Sequence, residues 1–177
     1  MCGIIGYIGP KDVVPVLIDG LRKLEYRGYD SAGVAVVKSG AVDLRRSAGK
    51  LSNLEDVIDN APITGDYGVG HTRWATHGGV TDANAHPHLS YDGTVAVVHN
   101  GVIENYAILK RQLQDEGIAF VSDTDTEVIA FLIEEAYTGD LVAAVRETLA
   151  QLRGSFAIGV SAVDQPELLV AARKDSP

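Results

Sequence analysis

The chain of 177 residues holds a single cysteine, so neither an internal disulfide nor a multi-thiolate metal site can be built from it. It is poor in aromatic residues, with one tryptophan, and no apolar run approaches the roughly 20 residues that span a bilayer. Basic residues are outnumbered, 15 Lys and Arg against 24 Asp and Glu, leaving a net charge of −9. Scattered singly, these cations do not form the patch that neutralises a phosphate backbone or an anionic lipid surface, so neither nucleic acid nor a membrane is expected as a partner. The start, MCGIIGYIGP, lacks the basic stretch and continuous apolar core of a secretory signal, which points to the cytoplasm. No low-complexity block, internal repeat or Pro/Ser-rich linker interrupts the chain.

What is present is enough for one globular domain, with 46% hydrophobic residues. The apolar, glycine-punctuated run from Cys2 to Ile8 suits a buried strand, and Val14, Leu17, Leu21 and Leu24 then recur at helical spacing. Gly33 to Lys38 and Ala41 to Ser47 flank Ser39-Gly40, a two-residue hairpin turn. Asp66 to Trp74 and Thr94 to His99 are further strands. Three amphipathic helices follow, marked by Tyr106, Leu109 and Leu113, by Val128, Ile129, Leu132 and Ile133, and by Val142, Val145, Leu149 and Leu152. Strands over Ser155 to Ser161 and Leu168 to Ala172 come last, and the chain stops at Pro177 without a closing element, as a truncated domain would. Hairpins interleaved with helices favour antiparallel sheets covered by helices, an α+β fold, over a doubly wound parallel sheet.

Cys2 is the sharpest chemical feature. Removal of Met1 puts a thiol and a free α-amine on one residue, so nucleophile and base arrive together; an unperturbed α-amine has a pKa of about 7.7 to 8.0, in the range where such a group can take a thiol proton. A cysteine in a strand start is otherwise a small core residue. His99-Asn100-Gly101 closes the strand Val95 to Val98, and an amide beside a glycine at a strand end can offer two donors to an oxyanion, although Asn-Gly alone is also a plain turn. The passage from His71 to Gly79 carries Arg73, whose fork suits a carboxylate, with Trp74, Thr76 and His77 beside it; a surface ion pair and a packed indole is its bland account. Thr124 and Glu127 fit a capping box, which would explain the acids of Asp123-Thr124-Asp125 structurally, and an acid facing a substrate ammonium is the alternative. His86-Pro87-His88 shares a face, but without a third ligand at a convincing spacing no metal is expected. Gly3, Gly6 and Gly9 lack the dinucleotide spacing, and no cofactor is expected.

Taken together, the runs MCGIIGYIG, LEYRGYDSAGVAVV, GHTRWATHG, NAHPH, VVHNGVIEN and SDTDTEV resemble, in this order, the class II glutamine amidotransferases, whose glutaminase domains are N-terminal-nucleophile hydrolases. The LEYRGYDSAG and NAHPH wording is similar to the branch that aminates fructose 6-phosphate, and less so to the purine, asparagine and glutamate branches. The resemblance implies a four-layer αββα sandwich and L-glutamine as substrate. It implies Cys2 as nucleophile, Asn100 with Gly101 as oxyanion hole, Arg73 with Thr76 and His77 on the α-carboxylate, and Asp125 on the α-amine. Arg27 and Gly28 would support the centre, and Trp74 would lie where ammonia leaves. It also implies that the full-length enzyme is a homo-oligomer that continues into further strands and a sugar isomerase part, neither of which these residues contain. Two other readings stay open: an amide hydrolase of the same superfamily that releases its product to water, and an inactive domain that keeps the fold.

Overall fold

The computed structural model describes residues 2–176, so the expectations that Met1 is cut away and that the domain is truncated at Pro177 fall on residues outside those described. Strand β1 (Gly3–Ile8) leads into helix α1 (Val13–Leu24), whose first turn is closed by the Asp12 carboxylate accepting from the Val14 N–H at 3.3 Å. Pro15 sits inside that first turn, where a missing N–H costs nothing. A short 3₁₀ turn, Glu25–Arg27, then delivers the chain to the hairpin β2 (Ser31–Lys38) and β3 (Ala41–Ala48). Its two turn residues, Ser39 and Gly40, both have positive φ (52° and 78°), the conformation that matches the twist of paired strands. Helix α2 (Leu51–Asn60) and strand β4 (Tyr67–Arg73) complete the first half.

The second half runs β5 (His88–Leu89), β6 (Val95–Ile103), α3 (Tyr106–Asp115), α4 (Thr126–Ala136), α5 (Leu141–Gln151), β7 (Gly154–Ala162) and β8 (Val170–Lys174). Among the described residues the strands form two four-stranded sheets, ordered β1-β4-β2-β3 and β5-β6-β7-β8, antiparallel in every pairing between strands. Three apolar layers fix how the elements stack. Val13, Leu17 and Leu21 of α1 and Leu51 and Leu54 of α2 pack on Ala32, Val34 and Val36 of β2, covering one outer face. Phe131, Ile133, Val145 and Leu113 of the later helices pack on Val95, Val97, Phe156 and Ile158, covering the other. Between the sheets lie Ala35, Val69, Ala96 and Val98, joined by Ile4 and Leu44. The result is the αββα sandwich. Helix α4 is buried from Thr126 through Ile133, so it is a core helix and not an amphipathic one, and each of its large apolar side chains contributes about 1.5–3 kcal/mol by leaving water. Among the described residues no helix is long and apolar enough to cross a membrane.

Helix α2 is an element that the spacing of apolar residues does not announce. Two local expectations are corrected. Strand β6 does not end at His99: it runs on through Asn100 and Gly101 to Ile103, because these residues pair with Ala157, Phe156 and Gly154 of β7. The capping box is not formed. Asp125, not Thr124, is the residue before α4, while Glu127 turns back to accept from the Val121 and Ser122 N–H groups at 3.0 and 2.8 Å and Thr124 bonds His88 Nε2 at 3.0 Å.

Candidate active site

Strand alternation decides which side chains meet. On β1, Ile5 and Tyr7 pack toward α1 and Ile4 toward the second sheet, so Cys2 shares the inter-sheet face. On β4 that face carries Val69, His71 and Arg73, and on β6 it carries Ala96, Val98 and Asn100. The inter-sheet layer is therefore apolar along most of its length and turns polar at one end. There it opens as a cleft of about 400 Å³.

Of the ten residues singled out from the sequence, Cys2, Arg27, Arg73, Trp74, Thr76, His77, Asn100, Gly101 and Asp125 line this cleft. Gly28 stands behind it: a Cβ there would lie 2.9 Å from the Arg73 carbonyl carbon and 3.0 Å from the Trp74 nitrogen, so only glycine lets the two backbones approach. Asp30 secures the same junction, its N–H donating to the Arg73 carbonyl at 3.0 Å and its carboxylate accepting from the Ala75 N–H at 2.8 Å. The consequence is felt at the sulfur, for the Trp74 N–H held in this way donates to Cys2 Sγ at 3.2 Å.

The Asn100 Nδ2 group donates to the Cys2 carbonyl at 3.3 Å, so the amide stands directly against the thiol residue. Gly101, at φ 127°, is beyond the reach of other residues: a Cβ would sit 2.1 Å from the Ser155 carbonyl oxygen. Arg73 is almost fully buried, and its guanidinium donates to the carbonyls of His77, Gly78 and Gly79, the last at 3.1 Å. It thus shapes the loop at the cleft rim as well as presenting charge. Burial pulls its pKa down, opposed by Cys2, Asp30 and Asp125. Asp125 Oδ2 accepts from the Ile103 N–H at 2.8 Å, pinning the end of β6 to the start of α4. Trp74 is exposed and meets Tyr29 edge to face, with ring centroids 5.6 Å apart, while the Thr76 side chain is open at the rim and the His77 ring rests on Tyr106.

Beneath these residues lies a histidine layer of which the sequence weighs only His86 and His88 by themselves, as a metal pair. His71, His86, His88 and His99 are all buried, with His86 between His71 (centroids 4.3 Å apart) and His88 (4.8 Å). His86 Nε2 and His99 Nδ1 share the Thr126 hydroxyl at 2.7 and 2.9 Å. Burial pushes all four pKa values down, that of His71 to about 4, so all four are neutral at physiological pH. The signal for His71 was its place two residues before Arg73 on one strand, hence on one face. Among the described residues no group of three or more His, Cys, Asp or Glu side chains is placed to hold a metal ion.

A family model described as "Glutamine amidotransferase domain" matches residues 71–175. The chain is 52% identical over all its residues to glutamine–fructose-6-phosphate aminotransferase (isomerizing) of Caldanaerobacter subterraneus subsp. tengcongensis and 54% identical to that of Clostridium perfringens, spanning 29% of the length of each. Against the protein of that name from Pyrococcus horikoshii the identity is 53%, over 30% of its length. In structure it matches glutamine phosphoribosylpyrophosphate amidotransferase from B. subtilis with a TM-score of 0.82 and 25% identity, covering 97% of this chain and 37% of that one. With a single thiol held at the mouth of an αββα cleft and this likeness over most of its length, the chain belongs to the glutamine amidotransferase domain family.

Proposed function

We propose that the chain hydrolyses the side-chain amide of L-glutamine, using Cys2 as nucleophile once Met1 is removed, and passes the ammonia to a sugar-phosphate site outside these 177 residues. The observation that carries the reading is the placement of Cys2 Sγ on the Trp74 N–H, at 3.2 Å, with the Asn100 amide on the same residue. The α-amine takes the thiol proton as sulfur attacks the amide carbon, forming a C–S bond and an oxyanion. Asn100 Nδ2 and the Gly101 N–H face that oxygen. The amine then delivers the proton to the leaving nitrogen, the C–N bond breaks, and ammonia departs past Trp74. Water adds to the thioester, glutamate leaves, and the thiol is restored. Arg73, with Thr76 and His77, takes the α-carboxylate and Asp125 the α-ammonium, while Arg27 and Gly28 hold the surrounding backbone. Two opposite charges in one cleft favour a free amino acid over a peptide, which speaks against a general amide hydrolase.

The relatives' name couples glutamine to fructose 6-phosphate, and identity above 50% over the whole chain supports the same acceptor here, on an isomerase domain in the further length those relatives possess, within a homo-oligomer. Glutamine recognition is tested by Asp125→Asn, which keeps the size and the acceptor for the Ile103 N–H but removes the charge. A charge-assisted hydrogen bond contributes about 1.5–3 kcal/mol, so KM for glutamine is expected to rise about 10- to 100-fold with a smaller change in kcat. An unchanged KM would remove Asp125 from the substrate.

A further inference from the structure

We infer that His71 is a positioning residue for the oxyanion donor: its Nε2–H fixes the Asn100 amide so that Nδ2, not Oδ1, faces the thiol end of the cleft. The inference deepens the proposed role of Asn100 and rests on it. His71 projects from β4 of one sheet and Asn100 from β6 of the other, so their contact crosses the sandwich at its polar end. His71 Nε2 lies 3.1 Å from the His99 carbonyl oxygen and 2.8 Å from Asn100 Oδ1.

A backbone carbonyl can only accept. Nε2 must therefore carry the proton, since a lone pair there would face the lone pairs of the carbonyl. A protonated Nε2 in turn requires an acceptor from Asn100, and the amide has one orientation that supplies it. The backbone thus sets the tautomer, and the tautomer sets the amide. The other ring nitrogen, Nδ1, is buried with no hydrogen-bond partner among the described residues, so a second ring proton would have nowhere to go. Burial that holds the pKa near 4 keeps this single neutral tautomer throughout the physiological range. The ring plane is gripped by His86, itself tied to Thr126 at 2.7 Å.

Without the Nε2–H, the amide keeps only its long bond to the Cys2 carbonyl, at 3.3 Å, and in the turned amide Oδ1 facing the developing oxyanion opposes the reaction instead of assisting it. Loss of one oxyanion donor costs about 10²–10³ in kcat, and partial misorientation a share of that. In the intact protein, His71→Leu is expected to lower kcat for glutamine hydrolysis about 10- to 100-fold, with KM changed less than about threefold. His71→Gln, whose Nε2 can occupy nearly the same point as a donor, is expected to recover most of the loss. Alkylation of Cys2 by iodoacetamide, a displacement that forms no oxyanion, is expected to proceed at the same rate in all three proteins. Equal loss in the Leu and Gln variants, or loss of alkylation together with hydrolysis, overturns the inference, because a purely structural histidine gives that pattern. Asn100→Ala separates the two layers. Full hydrolysis in that variant sinks the role of Asn100, whereas a damaged Asn100→Ala beside an unaffected His71→Leu sinks the role of His71 alone.

Discussion

Exchange of Cys2 for alanine is expected to lower glutamine hydrolysis by about 10⁴-fold or more, while the thermal midpoint stays within a few degrees of the unchanged protein. The first half follows from the chemistry of the cleft. Its sulfur is the only thiol in the chain, and the hydroxyls of Thr124 and Thr126 are engaged by His88 and by His86 and His99. The second half follows from position. Cys2 precedes β1, is only half-buried, and its bonds to the Trp74 peptide are additional to the Asp30 contacts that hold the same segment. Steady-state ammonia release and a melting curve on the two proteins suffice. Persistent hydrolysis in Cys2→Ala would shift the nucleophile to a cleft hydroxyl such as Thr76 or Ser155. An inactive unchanged protein that has lost Met1 would instead favour a domain that keeps the fold without the chemistry.

The second large effect is a loss of stability in mild acid. His71 has its pKa lowered by burial to about 4, against 6.5 in an unfolded chain. Between these values the unfolded state binds a proton that the folded state refuses, so stability falls as pH falls, by up to 1.36 kcal/mol per unit for each such group. For His71 the sum is about 3 kcal/mol by pH 4. His86, His88 and His99 are shifted in the same direction, chiefly by burial and further, for the first two, by their neighbours' charges. Glu135, whose pKa burial and Glu116 raise to about 7, works the other way, but it lies at the surface, where solvent screening leaves it little weight. Urea unfolding followed by circular dichroism at stepwise pH is expected to show the midpoint falling from about pH 6.5 downward, before most carboxylates titrate. A midpoint flat from pH 7 to 5 would show that the histidine cluster is hydrated or charged in the fold.

The residues that line the candidate site were more legible in the sequence than the details of the fold. Cys2, Arg73 and Asn100 could be named because each chemistry is bound to a residue type, and strand alternation then predicts which face each occupies. What brings them together is the register of β4 against β1 and of the two sheets against each other, which depends on contacts between residues far apart in sequence. Helix α2 is hard to read in the sequence because Ser52, Asn53, Asp56, Asp59 and Asn60 favour turns, although Leu51 and Leu54 sit at helical spacing and are buried. The true end of strand β6 is hidden for a similar reason, Asn and Gly being poor strand formers whose preference pairing with β7 overrides. The capping box failed because Glu127 found three better donors in Val121 N–H, Ser122 N–H and the Ser122 hydroxyl. Strand β5, two residues long, is too short for any period to show. The histidine layer had a visible signal in NAHPH and HNG, but burial, which keeps these rings neutral, is a property of the folded sandwich alone.

The most direct test is the mass of the protein after incubation with a glutamine analogue that carries an electrophile in place of the amide. The expected product lacks Met1 and bears one adduct, mapped by peptide analysis to Cys2 and prevented by excess glutamine. A processed protein that gains no adduct, or gains one elsewhere, contradicts the assignment of Cys2 as the nucleophile.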